Sequence, residues 1–168
     1  MTRSQRDAFC GSPTTLYQRA ASILGPLLVA GAAVYLLLVW KTIPDTIPTS
    51  FDMAGNPNAW DSKVTLWSTP VIGFFVILTM SLAGLFPRSW NTGIRITEAN
   101  KVLVYRAIRD FLATLQITMG VFFAAFTVYT AQVPDKMGPV ILISIFALFF
   151  APIIWLVIRF IRIKRLVG

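Results

Sequence analysis

Residues that could do chemistry are concentrated in one polar stretch, residues 41–66. The nucleophile candidates there are two serines, and the charged groups are two lysines and three aspartates: Ser50, Ser62, Lys41, Lys63, Asp45, Asp52 and Asp61. A serine nucleophile needs a base within hydrogen-bond reach. The chain contains no histidine, and the side chains of the adjacent Ser62 and Lys63 should diverge. We therefore expect no catalytic residues and predict that the protein is not an enzyme.

Metal and cofactor chemistry is not expected either. A single cysteine, Cys10, and the lack of histidine exclude an internal disulfide and a Cys/His zinc site. A calcium loop starting at Asp52 would need glycine at its sixth position, whereas Gly55 stands at the fourth. Cys10 is interpreted as an ordinary thiol in a flexible N-terminal tail.

Four apolar segments must position this polar stretch. They are residues 20–40, 67–86, 111–131 and 137–158, and they contain no Asp, Glu, Lys or Arg. Each has the length of about 20 residues that a helix needs to cross a bilayer. The predicted fold is a single-domain, all-α integral membrane protein with four transmembrane helices. Gly25 and Gly120 lie in small-residue patterns that favour close helix packing.

The basic residues indicate the orientation of these helices. Twelve of the 15 Lys and Arg residues lie in residues 1–19, 87–110 and 159–168. Basic residues of short loops stay in the cytoplasm, so both termini should be cytoplasmic and residues 41–66 should form an external loop. In residues 87–110, Thr97 is predicted to cap an interfacial helix that continues into the third span. The net charge of +8 is thus explained by topology, and no nucleic-acid partner is expected.

Three residues of the external loop constrain its backbone. Pro44 and Pro48 each exclude the preceding residue from the helical region, so the chain should leave the first span extended. Gly55 is expected at a positive φ in a turn, next to the turn-forming pair Asn56-Pro57. We expect an ordered loop that packs on the ends of the helices.

The end of the loop carries capping signals and one isolated cation. Ser62 is predicted to cap a short helix over "KVTLW", and the pair Thr69-Pro70 to begin the second span. Lys63 is expected to form an ion pair with one of the loop aspartates, with Asp52 favoured. The alternative is a solvated lysine that reaches toward lipid headgroups.

The spacing of these loop residues resembles a bacterial membrane domain found at the N-terminus of SdpI-type immunity proteins. The matching loop positions are Pro44, Ile47, Pro48, Phe51, Gly55, Trp60, Ser62 and Lys63. A weaker second half of the likeness is carried by Asn100, Tyr105, Arg106 and Arg109. Ser50 replaces the usual histidine of that family and Asp52 its usual asparagine, so no proton or metal chemistry of the histidine transfers to this chain.

The resemblance implies a multi-pass protein of the bacterial inner membrane. Some relatives protect the cell from a secreted toxin, and these relatives can also signal by holding a repressor at the membrane. We expect a non-enzymatic protein whose partners are the lipid bilayer and a protein or peptide toxin bound by the outer loop. The alternative is an accessory or regulatory subunit that holds its partner through the basic cytoplasmic face. A small transporter is less favoured because the spans carry no ionisable group.

Overall fold

The computed structural model describes residues 2–52, 54–93 and 95–167, and it is mostly helical. The α-helices are α1 (Arg3–Cys10), α2 (Leu16–Val39), α3 (Ser68–Leu85), α4 (Lys101–Ala131) and α5 (Pro139–Val167). Strands β1 (Thr46–Phe51) and β2 (Pro57–Ser62) lie between α2 and α3, and short 3₁₀ helices cover Lys63–Trp67 and Pro87–Ser89. The all-α prediction therefore missed a two-stranded sheet.

Among the described residues, three helical stretches are long and apolar enough to cross a membrane. They are Leu16–Val39, Lys63–Leu85 and Lys101–Ala131, and they contain most of each of the first three predicted spans. Many large apolar side chains on these helices are exposed, for example Leu27, Leu38 and Phe75. Such surfaces suit contact with lipid, which replaces water around a membrane helix. The fourth predicted span falls in α5, where some side chains lie outside the described residues.

The most extensive helix packing is between α2 and α4. A Cβ added to Gly25 would lie 2.7 Å from the backbone oxygen of Gln116, and one added to Gly120 would lie 2.8 Å from the oxygen of Gly25. The predicted role of these two glycines is confirmed, because only a residue without a side chain lets the backbones approach this far. Nearby, Gln116 Nε2 donates to Ser81 Oγ at 3.0 Å and links α4 to α3.

The N-terminal segment is not the flexible tail that the sequence suggested. Thr2 forms a capping box with Gln5 at the start of α1, and Gly11 ends the helix at φ 70°. Asp7 accepts from Arg109 of α4 at 2.9 Å, and the rings of Phe9 and Tyr105 are 5.3 Å apart. Cys10 is fully buried. These contacts hold α1 against the first turns of α4.

Two predicted helix starts are also wrong. The predicted long helix is present as α4, but it begins at Lys101 because the backbone oxygen of Thr97 accepts from Asn100 and Lys101 in a preceding turn. Pro70 is the third residue of α3 rather than its first, since the 3₁₀ helix before Ser68 runs directly into α3.

The final helix runs back along α4. Ile163 of α5 packs with Val104 and Ala107 near the start of α4, and Arg159 pairs with Asp110 at 3.2 Å. Asp110 also accepts from Gln18 of α2 at 2.7 Å. Asp110 is thus held by contacts from two other helices.

Candidate functional site

The polar stretch between α2 and α3 folds as an antiparallel hairpin. Its register pairs Thr46 with Ser62, Pro48 with Trp60, and Phe51 with Pro57. The extended chain expected from Pro44 and Pro48 is confirmed, and Pro57 occupies the first position of its strand, where a missing N–H is tolerated. We call residues 41–67 the hairpin segment.

The turn of the hairpin is built around Asp52. Its carboxylate accepts from the backbone N–H of Ala54 at 2.9 Å and of Asn56 at 2.8 Å, and from the Asn56 side chain at 3.3 Å. Hydrogen bonds from Asn56 and Ala54 hold the pKa of the exposed Asp52 carboxyl below its ordinary value. The role of Asp52 is therefore to organise the turn.

Gly55 joins the hairpin tip to the turn between α4 and α5. Its φ is 81°, which confirms the predicted positive value. Its backbone oxygen accepts from Met137 N at 2.8 Å, and an added Cβ would collide with the Met137 oxygen. Glycine is required here both for the left-handed conformation and for the close approach of two backbones.

Two isoleucines anchor the hairpin segment to the helices. Ile43 is 5% exposed and Ile47 is 2% exposed, and both pack with Leu36 of α2. Leu66 and Ala131 complete this cluster, and the Trp40 and Trp67 rings lie 6.1 Å apart beside it. The two residues that precede Pro44 and Pro48 are thus the core of the hairpin, so the segment is packed on the end of the bundle as expected.

Lys63 forms the expected ion pair, but with Asp45 instead of Asp52. The Lys63 ammonium lies 3.0 Å from Asp45 Oδ1 and 3.1 Å from the Ile43 oxygen, and it is 5.3 Å from the centre of the Trp40 ring. Asp45 is adjacent to Lys63 across the base of the hairpin, where Lys63 N also donates to the Asp45 oxygen at 2.9 Å. Asp52 is unsuited because it lies at the other end of the strands.

Ser62 takes the predicted capping position, and its oxygen accepts from Val64 N at 3.4 Å. Lys63 turns away toward Asp45, so these neighbours do not form a serine–lysine pair. Asp61 accepts from the N–H of Ser62 at 2.7 Å. Each hairpin carboxylate therefore has its own local partner, and the three do not converge on one point.

The exposed surface of the hairpin, which we call its outward face, is polar with one large aromatic residue. Ser50, Asn58, Asp61 and Trp60 are exposed, Trp60 to 60%. The register shifts around Ser50, which leaves Thr49 and Asn58 unpaired in bulges. Bulges redirect side chains and often occur next to functional positions. Phe51 of β1 is half-buried.

The second group of predicted site residues lies at the opposite end of α4. Asn100 is buried and ties the loop before α4 together, since it accepts from Thr97 N and donates to the Arg95 oxygen. Tyr105 packs on Phe9, and Arg109 binds Asp7 and, at 2.9 Å, the Ser12 oxygen. The 31 residues of α4 extend about 45 Å, which separates these side chains from the hairpin.

Arg106 differs from its neighbours because its side chain is exposed. It lines a cavity of about 1000 Å³ between α2, α4 and α5, together with Asp110 and Trp155. The structure thus brings the hairpin residues together at one end and three of the four second-group residues together at the other, with Arg106 on a separate face.

One contact of the site has a different partner from the one favoured from the sequence, and a second contact was missed. Asp45 becomes a partner of Lys63 only through strand pairing, and Met137 meets Gly55 across 82 positions of chain. The sequence contains a signal for the first contact. Asp45 directly precedes β1 and Lys63 directly follows β2, so pairing of the two strands brings them together. The Met137 contact uses backbone atoms, so nothing in the sequence identifies Met137 as the partner of Gly55.

Comparison with known proteins identifies one domain in this region. A search of curated proteins and a search of solved structures give no match. Residues 27–74 match the family described as Domain of unknown function (DUF1648). The matched residues contain the second half of α2, the whole hairpin segment and the start of α3. Residues 27–74 therefore contain a domain of unknown function, consistent with a membrane-associated domain.

Proposed function

We propose that this protein is a non-enzymatic membrane protein that binds a protein or peptide partner through the outward face of its hairpin. The observation that carries the proposal is the two-sided construction of the hairpin: Ile43 and Ile47 are buried, whereas Ser50, Asn58 and Trp60 are exposed. A surface held rigid by its own core loses little entropy when a partner binds.

The partner would reach the hairpin from outside the cell. We infer four spans with both termini in the cytoplasm, and we place the chain in a bacterial inner membrane. The contacts of α5 with the start of α4 support a fourth crossing, since α5 begins shortly after the other end of α4. Arg6 donates a hydrogen bond to Gly84, and Arg159 forms an ion pair with Asp110. These contacts place basic residues at the end of the bundle away from the hairpin. This charge distribution favours that end as the cytoplasmic one.

The hairpin suggests how recognition would occur. Each strand of a two-stranded sheet has one edge that is not paired within the sheet, and an extended peptide can add a strand there. All residues of β2 after Pro57 are exposed, and the exposed Trp60 is an amphipathic anchor of the kind that dominates binding energy. We infer an extended segment of a secreted, membrane-active toxin as the bound partner, in line with the SdpI-type resemblance. Binding alone would protect, because a toxin held at the hairpin cannot insert into the bilayer.

A survival assay with paired variants tests this proposal. Cells that express the protein are exposed to the secreted toxin of its own bacterium, with cells lacking the protein as the reference. Ser50→Glu and Asn58→Glu place a charge on the outward face and should abolish protection. Ser89→Glu makes the same change at an exposed serine of the other end, and it should protect like the parent. Acidic residues have little influence on topology, so both sets should insert normally.

The same assay evaluates the alternative, a subunit that holds a regulator at its basic face. In that case Arg162→Gln, at an exposed arginine of α5, would abolish the effect and the hairpin variants would act like the parent. Membrane levels of every variant are measured by immunoblot. Full protection by Ser50→Glu and Asn58→Glu at parental levels would refute hairpin binding.

A further inference from the structure

A second cavity lies at the end of the bundle away from the hairpin. It encloses about 370 Å³ between α1, α2, α3 and α4. Its lining includes four arginines and, from α4 and α3, two of its uncharged polar side chains: Arg3, Arg6, Arg19, Arg109, Gln116 and Ser81. We propose that this cavity, which we call the arginine pocket, binds a phosphate-type oxyanion. This site is separate from the hairpin and does not depend on its proposed function.

The positive charge of the arginine pocket is not balanced by its walls. Among the described lining residues there is no Asp or Glu. Arg109 is neutralised by Asp7, which lies 2.9 Å away and is not part of the lining, and both of these side chains are largely buried. Arg3 and Arg19 carry exposed side chains at the pocket. The pocket therefore has an excess of cationic groups in a partly enclosed space, where an anion is held more strongly than in open water.

Arg6 provides a second, independent observation that supports anion binding. Its Nε is buried and has no hydrogen-bond partner in the described part of the chain. Its NH1 donates to the Gly84 oxygen at the long distance of 3.5 Å. A buried donor of a charged group without an acceptor is costly, and native proteins nearly always satisfy such a group. An anion in the pocket would supply acceptor oxygens for this guanidinium.

The chemistry of the donors specifies the class of anion. The guanidinium group presents planar, paired N–H donors that match the oxygens of phosphate. The amide of Gln116, 5% exposed, is already oriented by its hydrogen bond to Ser81 and gives the pocket a polar inner wall. The volume also admits a phosphate group together with part of a larger molecule. Free phosphate and the phosphate of a membrane phospholipid share this chemistry.

Binding measurements on the purified full chain in neutral detergent distinguish these sources. In the first arm, inorganic phosphate is titrated against the chain by calorimetry, with sodium chloride keeping the ionic strength constant. In the second arm, phosphatidylglycerol or phosphatidylcholine is added, and native mass spectrometry counts the retained lipids. We expect the parent to bind inorganic phosphate or to retain phosphatidylglycerol in preference to phosphatidylcholine.

The variants Arg6→Gln and Arg19→Gln each remove one guanidinium from the pocket. Each should weaken binding about tenfold, the change expected from one charge-assisted hydrogen-bonded group. Arg162→Gln is the matched control, because it removes the same charge from a residue outside the pocket lining. Two pocket variants are used so that one that fails to fold does not decide the result. Absence of binding in both arms, or equal binding by the pocket variants and Arg162→Gln, would overturn the proposal.

Discussion

At the scale of single residues, Gly55 carries the contact between the hairpin tip and the turn after α4. Gly55→Ala should lower the free energy of unfolding by about 2 kcal/mol or more. A left-handed backbone costs a residue with a side chain about 1–2 kcal/mol, and the new Cβ would also collide with the Met137 oxygen. Thermal unfolding in detergent measures the loss.

Gly93→Ala is the matched control for this prediction. Gly93 also has a positive φ, 60°, but a Cβ there meets no atom within 4 Å in the described structure. Gly93→Ala should therefore lower the free energy of unfolding by the backbone cost alone, about 1 kcal/mol. Equal melting temperatures for the two variants would show that the Met137 contact contributes nothing.

Lys63 is expected to stabilise the hairpin mainly through the Ile43 carbonyl. The Asp45 side chain is 95% exposed, and an exposed ion pair contributes about 0–1 kcal/mol. Asp45→Asn should hence change stability by less than about 0.5 kcal/mol. Lys63→Met should cost about 1–2 kcal/mol, because it also removes the donor to the Ile43 oxygen. Denaturant titration compares the two, and a larger loss for Asp45→Asn would contradict this ranking.

At the scale of elements, α1 depends on the ion pair between Asp7 and Arg109. Burial raises the pKa of the Asp7 carboxyl, but hydrogen bonds from Thr14 and Arg109 outweigh burial, so the pKa lies below its ordinary value. A lowered pKa stabilises the fold above the unfolded value of about 4, and this stability is lost as pH falls through the folded pKa. Asp7→Asn should cost about 1 kcal/mol at pH 7.

The pH dependence of the stability lost in Asp7→Asn tests this prediction. The difference in melting temperature between the parent and Asp7→Asn should be largest at neutral pH and should shrink as pH falls below about 4. A difference that stays constant between pH 7 and pH 3 would show that the charge of Asp7 plays no part in holding α1.

Cys10 reports directly on whether α1 is docked. The thiol is fully buried, and burial raises its pKa, so reaction with a maleimide at pH 7 should be slow. Arg109→Gln removes the bonds to Asp7 and Ser12 and should speed labelling about tenfold, as 1.4 kcal/mol of lost docking energy would do. Arg106→Gln, on a separate face of α4, should leave the rate unchanged. Fast labelling of the parent would contradict docking of α1 and would support the flexible N-terminal tail expected from the sequence.

The sequence predicts some of these elements and not others, for identifiable reasons. The apolar runs locate the long helices because a lipid-facing helix must be apolar over its whole length. Gly55 and Ser62 were assigned correctly because turns and caps depend on local residues. The docked α1 was missed because its polar residues resemble a tail, and its partner Arg109 lies 102 positions away. The pairing of β1 with β2 was missed because two prolines and short strands obscure a strand pattern.

At the scale of the whole molecule, the chain has two different ends. One end presents the hairpin, with an outward face of uncharged polar residues, aspartates and Trp60. The other presents the arginine pocket, α1 and the loop before α4. The α2–α4 contact at Gly25 and Gly120 joins these ends through the bundle. Hairpin binding from outside requires the hairpin end to face away from the cytoplasm.

The most direct test of this arrangement is labelling of single cysteines in intact cells. Asn58→Cys reports on the hairpin and Ser89→Cys on the opposite end, each with Cys10→Ser, and both positions are exposed. A membrane-impermeant maleimide should label Asn58→Cys in intact cells, and Ser89→Cys only after the membrane is permeabilised. Labelling of Ser89→Cys in intact cells, with Asn58→Cys protected until permeabilisation, would contradict the account.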